Sequence, residues 1–398
     1  MKYCVLVLDG AADWPLESRQ NRTCLELAQT PNLDAMTQHG LLGLTNTVPR
    51  GMEPSSALAC MSLLGYDPRF YYRGRSAIEA ISIGFPVEEG EVSFRCNLVA
   101  VKNGDMESYC AGHITTEEGR QIIDTLNQRL GNEGIQFYSG TGYRHLLKLK
   151  NRPETMGAVC TPPHDISGQP VAKYLPHGPG SAILGELMHA SQEVLAEHPV
   201  NVARRQKRQP EATSIWIFWG SQRLPEMPPF RRRFGLRAAI TSGVDLLKGL
   251  GQIMEMDILD IDGVTDGLDN KYSAQGQGAI KALKKHDLVV IHVEAPDEAA
   301  HGGDIDAKVK SIQRIDKEIV AQIAAYRPKN LRVLIMPDHP TPIETRTHVA
   351  EAVPFLLWGP GLNSNGAAHF TEAEAENTGL LIDEGYNMMG WLTGRTVV

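Results

Sequence analysis

The chain has 398 residues, 42% of them hydrophobic and 22% charged, which is long for one compact domain and ample for two with real cores. Lysine and arginine number 39 against 47 aspartates and glutamates, a formal charge of -8. Such a surface offers nucleic acid and anionic membranes no general attraction, although a local basic patch could hold a small phosphate ester; the chain also contains no apolar run of the about 18 residues that a transmembrane helix needs.

The opening "MKYCVLVLDG" is a continuous apolar strand stopped by Asp9-Gly10, with no small-residue cleavage segment of a signal peptide. Cysteines stand at 4, 24, 60, 96, 110 and 160 without a C-x-x-C pair, the pattern of reduced, partly buried thiols in a cytoplasmic protein. In "RGMEPSSALACMSLLGYDP", residues 50 to 68, Ser55-Ser56 opens a predicted helix. A serine there is ordinarily a cap. The same place can also receive a phosphoryl group, because free amides and the helix field favour anions. A metal beside the hydroxyl would make it a nucleophile.

The middle of the chain changes character. "EVSFRCNLVAV" and "YRHLLKLK" read as strands, with helical "TTEEGRQIIDTLNQRL" between them, capped by Thr115 or Thr116. A Pro/Gly/His-rich loop from 160 to 181 precedes another helix near "AILGELMHASQEVLAEH". Basic "NVARRQKRQPEATS" reads as a return linker, and the strand-like "SIWIFWG" and "FGLRAAI" as near or within the returning core. We therefore expect a discontinuous core of residues 1–85 and 212–398 and a smaller inserted α+β domain of residues 86–211.

Two further apolar strands, "HDLVVIHVEA" and "NLRVLIMPDH", end in Glu294 and in Asp338-His339. Strands this uniformly apolar are buried on both faces, as in a parallel or mixed sheet between helical layers. Val309, Ile312, Ile315, Ile319 and Ile323 recur at helical spacing over 306–326. Ligands in open α/β sheets gather at the carboxyl ends of strands. Asp9, the cluster in "VEAPDEAAHGGD" and Asp338-His339 would share one site if their strands are neighbours. Asp297 and His301, four apart, fall on one helical face and could grip a cation, with Glu298 as a supporting acid. His348 precedes the apolar run "VPFLLWG". Mixed oxygen and nitrogen donors suit Mn²⁺, Zn²⁺, Co²⁺ or Fe²⁺ better than Ca²⁺.

"LDG", "PSSALACMSLLGYDP", "FRCN", "AGH", "TPPHDI", "HVEAPDEAAH" and "PDHPTP…RTH" resemble the archaeal-type 2,3-bisphosphoglycerate-independent phosphoglycerate mutases of the alkaline phosphatase superfamily. They also resemble a bacterial branch of that family proposed to contain homoserine kinases. The resemblance spans nearly the whole chain and implies an α/β fold, an alkaline-phosphatase-like three-layer sandwich with an inserted domain. It implies two divalent ions, Mn²⁺ foremost and Zn²⁺, Co²⁺, Fe²⁺ or Mg²⁺ as alternatives. One would be held by Asp297, His301 and His348, the other by Asp9, Asp338, His339 and the nucleophile Ser56. The implied substrate is a small phosphorylated carboxylic acid, 3-phosphoglycerate, with Arg73, Arg75, Arg95, His113, Arg144, His145 and His164 as its contacts from the inserted domain and the crossover. The inserted domain is expected to close over that substrate and keep water from the phosphoserine.

Two departures stand out. The family commonly has "PGSD" around the nucleophile, where this chain has Ser55 for the glycine and Ala57 for the aspartate. Gln275 stands where a catalytic lysine is expected, with Lys271 four residues away. Glutamine cannot neutralise a phosphoryl oxygen as an ammonium does. A related phosphotransferase or phosphomonoesterase, including a homoserine kinase, and a catalytically silent metal-binding homologue are the competing readings. No G-x-x-x-x-G-K-[ST] loop is present for a nucleotide.

Overall fold

The computed structural model describes residues 1–326 and 330–395. Its chain forms two compact units, Met1–Tyr71 with Glu226–Val398, and Tyr72–Pro225. Among the described residues the strands are β1 Lys2–Leu8, β2 Leu41–Thr45, β3 Glu91–Lys102, β4 Asp105–Ser108, β5 Ile135–Tyr138, β6 Arg144–Lys150, β7 Ser214–Gln222, β8 Ala238–Thr241, β9 Asp257–Ile258, β10 Leu288–Val293, β11 Leu331–Met336, β12 Val353–Trp358 and β13 Leu381–Ile382.

In the first unit eight strands form one mixed sheet in the order β13-β2-β12-β11-β1-β10-β8-β9. β1 lies between β10 and β11 and is parallel to both, in register from Tyr3 opposite Leu288 and Arg332. β12 runs antiparallel to β11 and to β2. Successive side chains of a strand point to opposite faces, and Tyr3 to Leu8 are all buried, so both faces of β1 are covered. On one face Cys4, Leu6 and Leu8 join Leu33, Met36, Ile312, Ile315 and Ile319 in a single core. The architecture is the three-layer α/β sandwich that the apolar strands imply. No helix among the described residues is long and apolar enough to cross a membrane.

The helix predicted over 306–326 is interrupted. It runs as an α-helix over Ile305–Ile315, widens into a π turn over Asp316–Val320, and resumes over Ala321–Ala325. Asp316, buried at the start of that turn, accepts hydrogen bonds from the Leu33 amide at 2.7 Å and from Asn32 Nδ2 at 2.8 Å, satisfying the N-terminus of the helix Pro31–Thr37. Lys308 is fully buried on the preceding helix, against the apolar reading of that face. Its ammonium donates to Asp13 Oδ2 (2.8 Å), Thr341 O (2.8 Å) and Ala12 O (3.1 Å).

The second unit holds an antiparallel sheet in which β3 is flanked by β6 and β7, with β4 and β5 at the margins. Thr115 caps the helix Thr116–Leu130 in a reciprocal box with Glu118. Two expectations are corrected here. "SIWIFWG" is β7, paired with β3 in this second sheet and not in the core sheet. "NVARRQKRQPEATS" is no free linker: its first half lies in the helix Pro199–Gln206, where buried Arg204 donates to Pro210 O at 2.7 Å and Ala111 O at 2.7 Å. The unit boundary falls after Tyr71 and after Pro225, so residues 72–85 and 212–225, expected in the core, group with the inserted segment.

Candidate metal centre

Because β10, β1 and β11 are adjacent and parallel, their carboxyl ends meet, and residues as far apart in sequence as Asp9 and His339 come together. Asp9 follows β1, Glu294 and Asp297 follow β10, and Asp338-His339 follow β11. Gly10 makes this possible. Its φ is +59°, and a Cβ there would lie 2.7 Å from Thr341 Oγ1 and press on Asp297 Oδ1. Its amide instead donates to Asp338 Oδ1 at 3.1 Å, as does the His339 amide at 3.0 Å.

Asp297 and His301 lie on the helix Ala295–His301, with Asp297 Oδ2 3.1 Å from His301 Nε2. His348 Nε2 stands 3.6 Å from Asp297 Oδ1 and 3.1 Å from His301 Nε2. The two imidazoles thus flank the Asp297 carboxylate, each nearest a different one of its oxygens. His301 Nδ1 lies 2.8 Å from Arg346 O, which fixes the ring. Beside this group, His339 Nε2 is 3.5 Å from Asp9 Oδ1, 3.4 Å from Asp338 Oδ2 and 3.2 Å from Ser56 Oγ. Thr341 Oγ1 links the two groups, donating to Asp297 Oδ1 at 2.5 Å with His339 Nδ1 at 3.2 Å.

The serine pair divides its work. Ser55 is the N-cap of the helix Ser56–Leu63, its hydroxyl accepting from the Leu58 amide at 3.4 Å. That leaves the buried Ser56 hydroxyl free to face His339. Ala57 is buried on the same helix. Cys60, one turn on from Ser56, places its Sγ 3.5 Å from Asp338 Oδ2.

The electrostatics have two poles. Burial first, then Asp338 and Asp297, push the Asp9 carboxyl well above its ordinary range, and burial followed by Asp9 does the same to Glu294. Burial alone would raise Asp297 too, but His301 and then His348 override it and hold that carboxyl well below the usual range. Against the pull of burial, Asp297 raises His301 to about 10, while burial lowers His339 to about 4. Asp9 Oδ1 is buried without a hydrogen-bond partner. Among the described residues no lysine or arginine pairs with Asp9, Asp338 or Glu294; their ionic neighbours are histidines. Crowded buried carboxylates with imidazoles and no cationic side chain fit divalent ions. Asp297, His339 and His348 form one group with ligand atoms mutually within 4.8 Å, and Asp9, Asp338 and His339 another.

The remaining expected residues are placed as follows. Glu298 is half-buried one position beyond Asp297. Gln275 is fully buried on the helix Tyr272–Ala282, accepting from Asn270 Nδ2 at 2.9 Å and donating to His292 O at 3.0 Å. Lys271 turns its exposed ammonium to Asp262, 3.1 Å away. In the second unit Arg95 is buried, bonded to Glu79 and, at 3.0 Å, to Asn97 Oδ1. Arg75 donates to Glu79 Oε1 at 2.8 Å and lies over the Trp219 ring. His145 is buried, accepting the Gly140 amide at 3.1 Å, and burial takes it down to about 3. Arg73 and His113 are exposed, and Arg144 and His164 half-buried. Arg144 lies over the Tyr143 ring, and His164 packs by Trp219. The sequence reading missed His292, whose Nε2 is 2.7 Å from Asp9 Oδ2. A histidine near the end of an otherwise aliphatic strand was the available signal.

Residues 37–201 match the family model described as 2,3-bisphosphoglycerate-independent phosphoglycerate mutase. The chain is 42% identical over 398 residues to the 2,3-bisphosphoglycerate-independent phosphoglycerate mutase of Methanosarcina barkeri, covering 98% of this chain and 99% of that one. It is 43% identical over 392 residues to the protein of the same name from Methanothrix thermoacetophila, covering 98% of each. Among solved structures, the PH0037 protein from Pyrococcus horikoshii aligns with a TM-score of 0.80 and 26% identity over 99% of this chain and 96% of that one. The cofactor-independent phosphoglycerate mutase from Thermoplasma acidophilum shares the fold, with a TM-score of 0.61 and 24% identity over 99% of each chain. With end-to-end identity above 40% and a cluster of carboxylates, histidines and a serine at the strand ends, the chain belongs to the 2,3-bisphosphoglycerate-independent phosphoglycerate mutase family.

Proposed function

We propose that this protein interconverts 3-phosphoglycerate and 2-phosphoglycerate by metal-dependent phosphoryl transfer through a phosphoserine on Ser56, without bisphosphoglycerate. The observation that carries this reading is the Ser56 hydroxyl, released from capping by Ser55 and held 3.2 Å from His339 Nε2 beside Asp9 and Asp338. Asp297, His301 and His348 would hold one divalent ion, and Asp9, Asp338, His339 and Ser56 the other, with Mn²⁺ the ion we assign first. Such ions would lower the pKa of the serine hydroxyl and offset charge on the transferring group.

The protein's own residues divide the migration into two displacements at phosphorus. In the first, Ser56 Oγ bonds to phosphorus as the bond to the substrate's 3-oxygen breaks, and the serine proton is made up on that oxygen. In the second, the 2-hydroxyl of the retained glycerate takes the phosphoryl group, the P–Oγ bond breaks, and the serine regains a proton. The uncapped amides at the N-terminus of the helix Ser56–Leu63 would favour a phosphoryl group on Ser56. We assign anion contacts in the second unit to Arg73, Arg75, His113, Arg144 and His164, and an internal supporting role to buried Arg95 and His145. The six free cysteines, five of them buried, support a reducing, cytoplasmic setting.

The test is to give purified, Mn²⁺-loaded protein 3-phosphoglycerate without bisphosphoglycerate, and to measure 2-phosphoglycerate and inorganic phosphate together. Formation of 2-phosphoglycerate that vanishes in Ser56→Ala is expected. Phosphate release without 2-phosphoglycerate would replace the mutase reading with a phosphomonoesterase, and neither product would exclude both.

A further inference from the structure

Lys308 takes no part in the two displacements at phosphorus, yet its ammonium is wholly buried. Replacing an entire buried ion pair by apolar groups is often neutral or stabilising, so stability is a weak reason to keep one. What the ammonium holds is more specific. Its three donors meet three oxygens, Asp13 Oδ2, Thr341 O and Ala12 O, in the segments that leave β1 and β11 just past Asp9 and Asp338-His339. Those segments lie side by side: Ala11 and Ala12 bridge Pro340, the Thr341 amide donates to Ala12 O at 3.2 Å, and the Ile343 amide donates to Asp13 Oδ1 at 3.2 Å. Residues 340–349 then serve the Asp297 group three times. Thr341 Oγ1 donates to Asp297 Oδ1 at 2.5 Å, Arg346 O accepts from His301 Nδ1 at 2.8 Å, and His348 brings its own imidazole. Asp338 needs no such help, because the Gly10 and His339 amides hold it locally.

We infer that Lys308 is a positioning residue for the Asp297, His301 and His348 group: by fixing the Thr341 backbone from inside the core, it aims the Thr341 hydroxyl at Asp297. That hydroxyl has two acceptors in reach, Asp297 Oδ1 and, at 3.2 Å, His339 Nδ1. A shift of the Thr341 backbone lengthens or redirects the bond that sets the rotation of the Asp297 carboxylate. Its Oδ1 is the oxygen nearest His348 and its Oδ2 the one nearest His301, so turning the carboxylate disturbs its approach to both imidazoles. Hydrogen bonds behind a ligand govern metal affinity in this way. Lys308 thus acts on one ion of the pair through Thr341, two bonds removed from the ligand itself.

The inference rests on the two-ion reading, and the experiment separates the two. Mn²⁺ is titrated by calorimetry into metal-free wild type, Lys308→Met, Lys308→Met/Asp13→Asn and Thr341→Val, each first checked for folding by circular dichroism. Wild type should bind two ions, and the binding step missing in His348→Ala identifies the Asp297 ion. In Lys308→Met that step should weaken about tenfold or more while the other stays unchanged. Thr341→Val should weaken the same step, and adding Lys308→Met to it should cost little further, as expected of residues acting in series. Lys308→Met/Asp13→Asn removes the stranded charge but leaves Thr341 without its anchor, so it should keep the weakened step. That variant distinguishes positioning from mere stability, and it serves if Lys308→Met alone does not fold. Wild-type affinity for both ions in the folded double variant, or in Thr341→Val, would overturn the inference and leave the two-ion reading standing. No Mn²⁺ binding by wild type would overturn both.

Discussion

Replacing Lys308 by methionine keeps the length of the side chain and removes its charge. Lys308 and Asp13 are both wholly buried, and the ammonium is the only cation paired with Asp13 among the described residues. Asp13 Oδ1 would still accept the Trp14 amide at 2.8 Å and the Ile343 amide at 3.2 Å, and Ala12 O would keep the Thr341 amide. Asp13 Oδ2 would lose its 2.8 Å partner. Breaking a buried pair on one side costs about 3–5 kcal/mol, a large part of the roughly 5–15 kcal/mol that holds a typical domain together. Pairing the change with Asp13→Asn removes the stranded charge, so Lys308→Met/Asp13→Asn should be more stable than Lys308→Met alone. Urea unfolding of metal-free protein at neutral pH, followed by tryptophan fluorescence, measures both. A single variant within about 1 kcal/mol of wild type, or a double variant less stable than the single, would refute the argument that this ion pair clamps the 11–13 and 340–343 segments.

Gly10→Ala forces a side chain onto a left-handed backbone, at about 1–2 kcal/mol, and into Thr341 and Asp297, at about 1–3 kcal/mol more. Because Asp297 must move, Mn²⁺ affinity by calorimetry should fall by about tenfold or more. Burial raises the Glu372 carboxyl from 4.5 to about 7, so the folded state holds that proton more tightly than the unfolded chain. Its contribution to stability is therefore greatest below pH 4.5 and is lost as pH rises through about 7. In Glu372→Gln this loss should be missing when unfolding free energies are compared across that window. Glu79 behaves oppositely: despite burial, Arg95 and then Arg75 lower it to about 2, so its contribution is present above pH 4.5 and lost as pH falls through 2. Glu79→Gln strands buried Arg95 and should cost about 3–5 kcal/mol near neutral pH by chemical unfolding.

The strands that carry the centre were legible because β1, β10 and β11 are predominantly apolar runs with acids soon after them. Their adjacency followed from fold logic and not from any residue, since pairing is a tertiary choice. β7 shows the same limit from the other side: its run looks like a core strand, yet it pairs with β3. Lys308 was invisible because helical periodicity assigns a lysine to solvent, while here three oxygens from two distant segments surround it. Ser55 and Ser56 could not be told apart by composition; the helix start alone decides which hydroxyl caps and which is released. His292 was hidden inside a strand, where a polar group is legible only once the facing carboxylate of Asp9 is placed.

The position of β1 has a consequence for how this protein is made. Tyr3 pairs with Leu288, 285 residues later, and with Arg332 beyond that. Ribosomes add roughly 5–20 residues per second, so β1 waits roughly 15–60 s after synthesis before its first neighbour emerges. During that interval "YCVLVL" is an unpaired, wholly apolar strand, the kind of segment that chaperones hold and that aggregates capture. The strand that brings Asp9 to the centre is thus exposed through most of synthesis, and the yield of active protein should depend on what shelters it until residue 288 arrives.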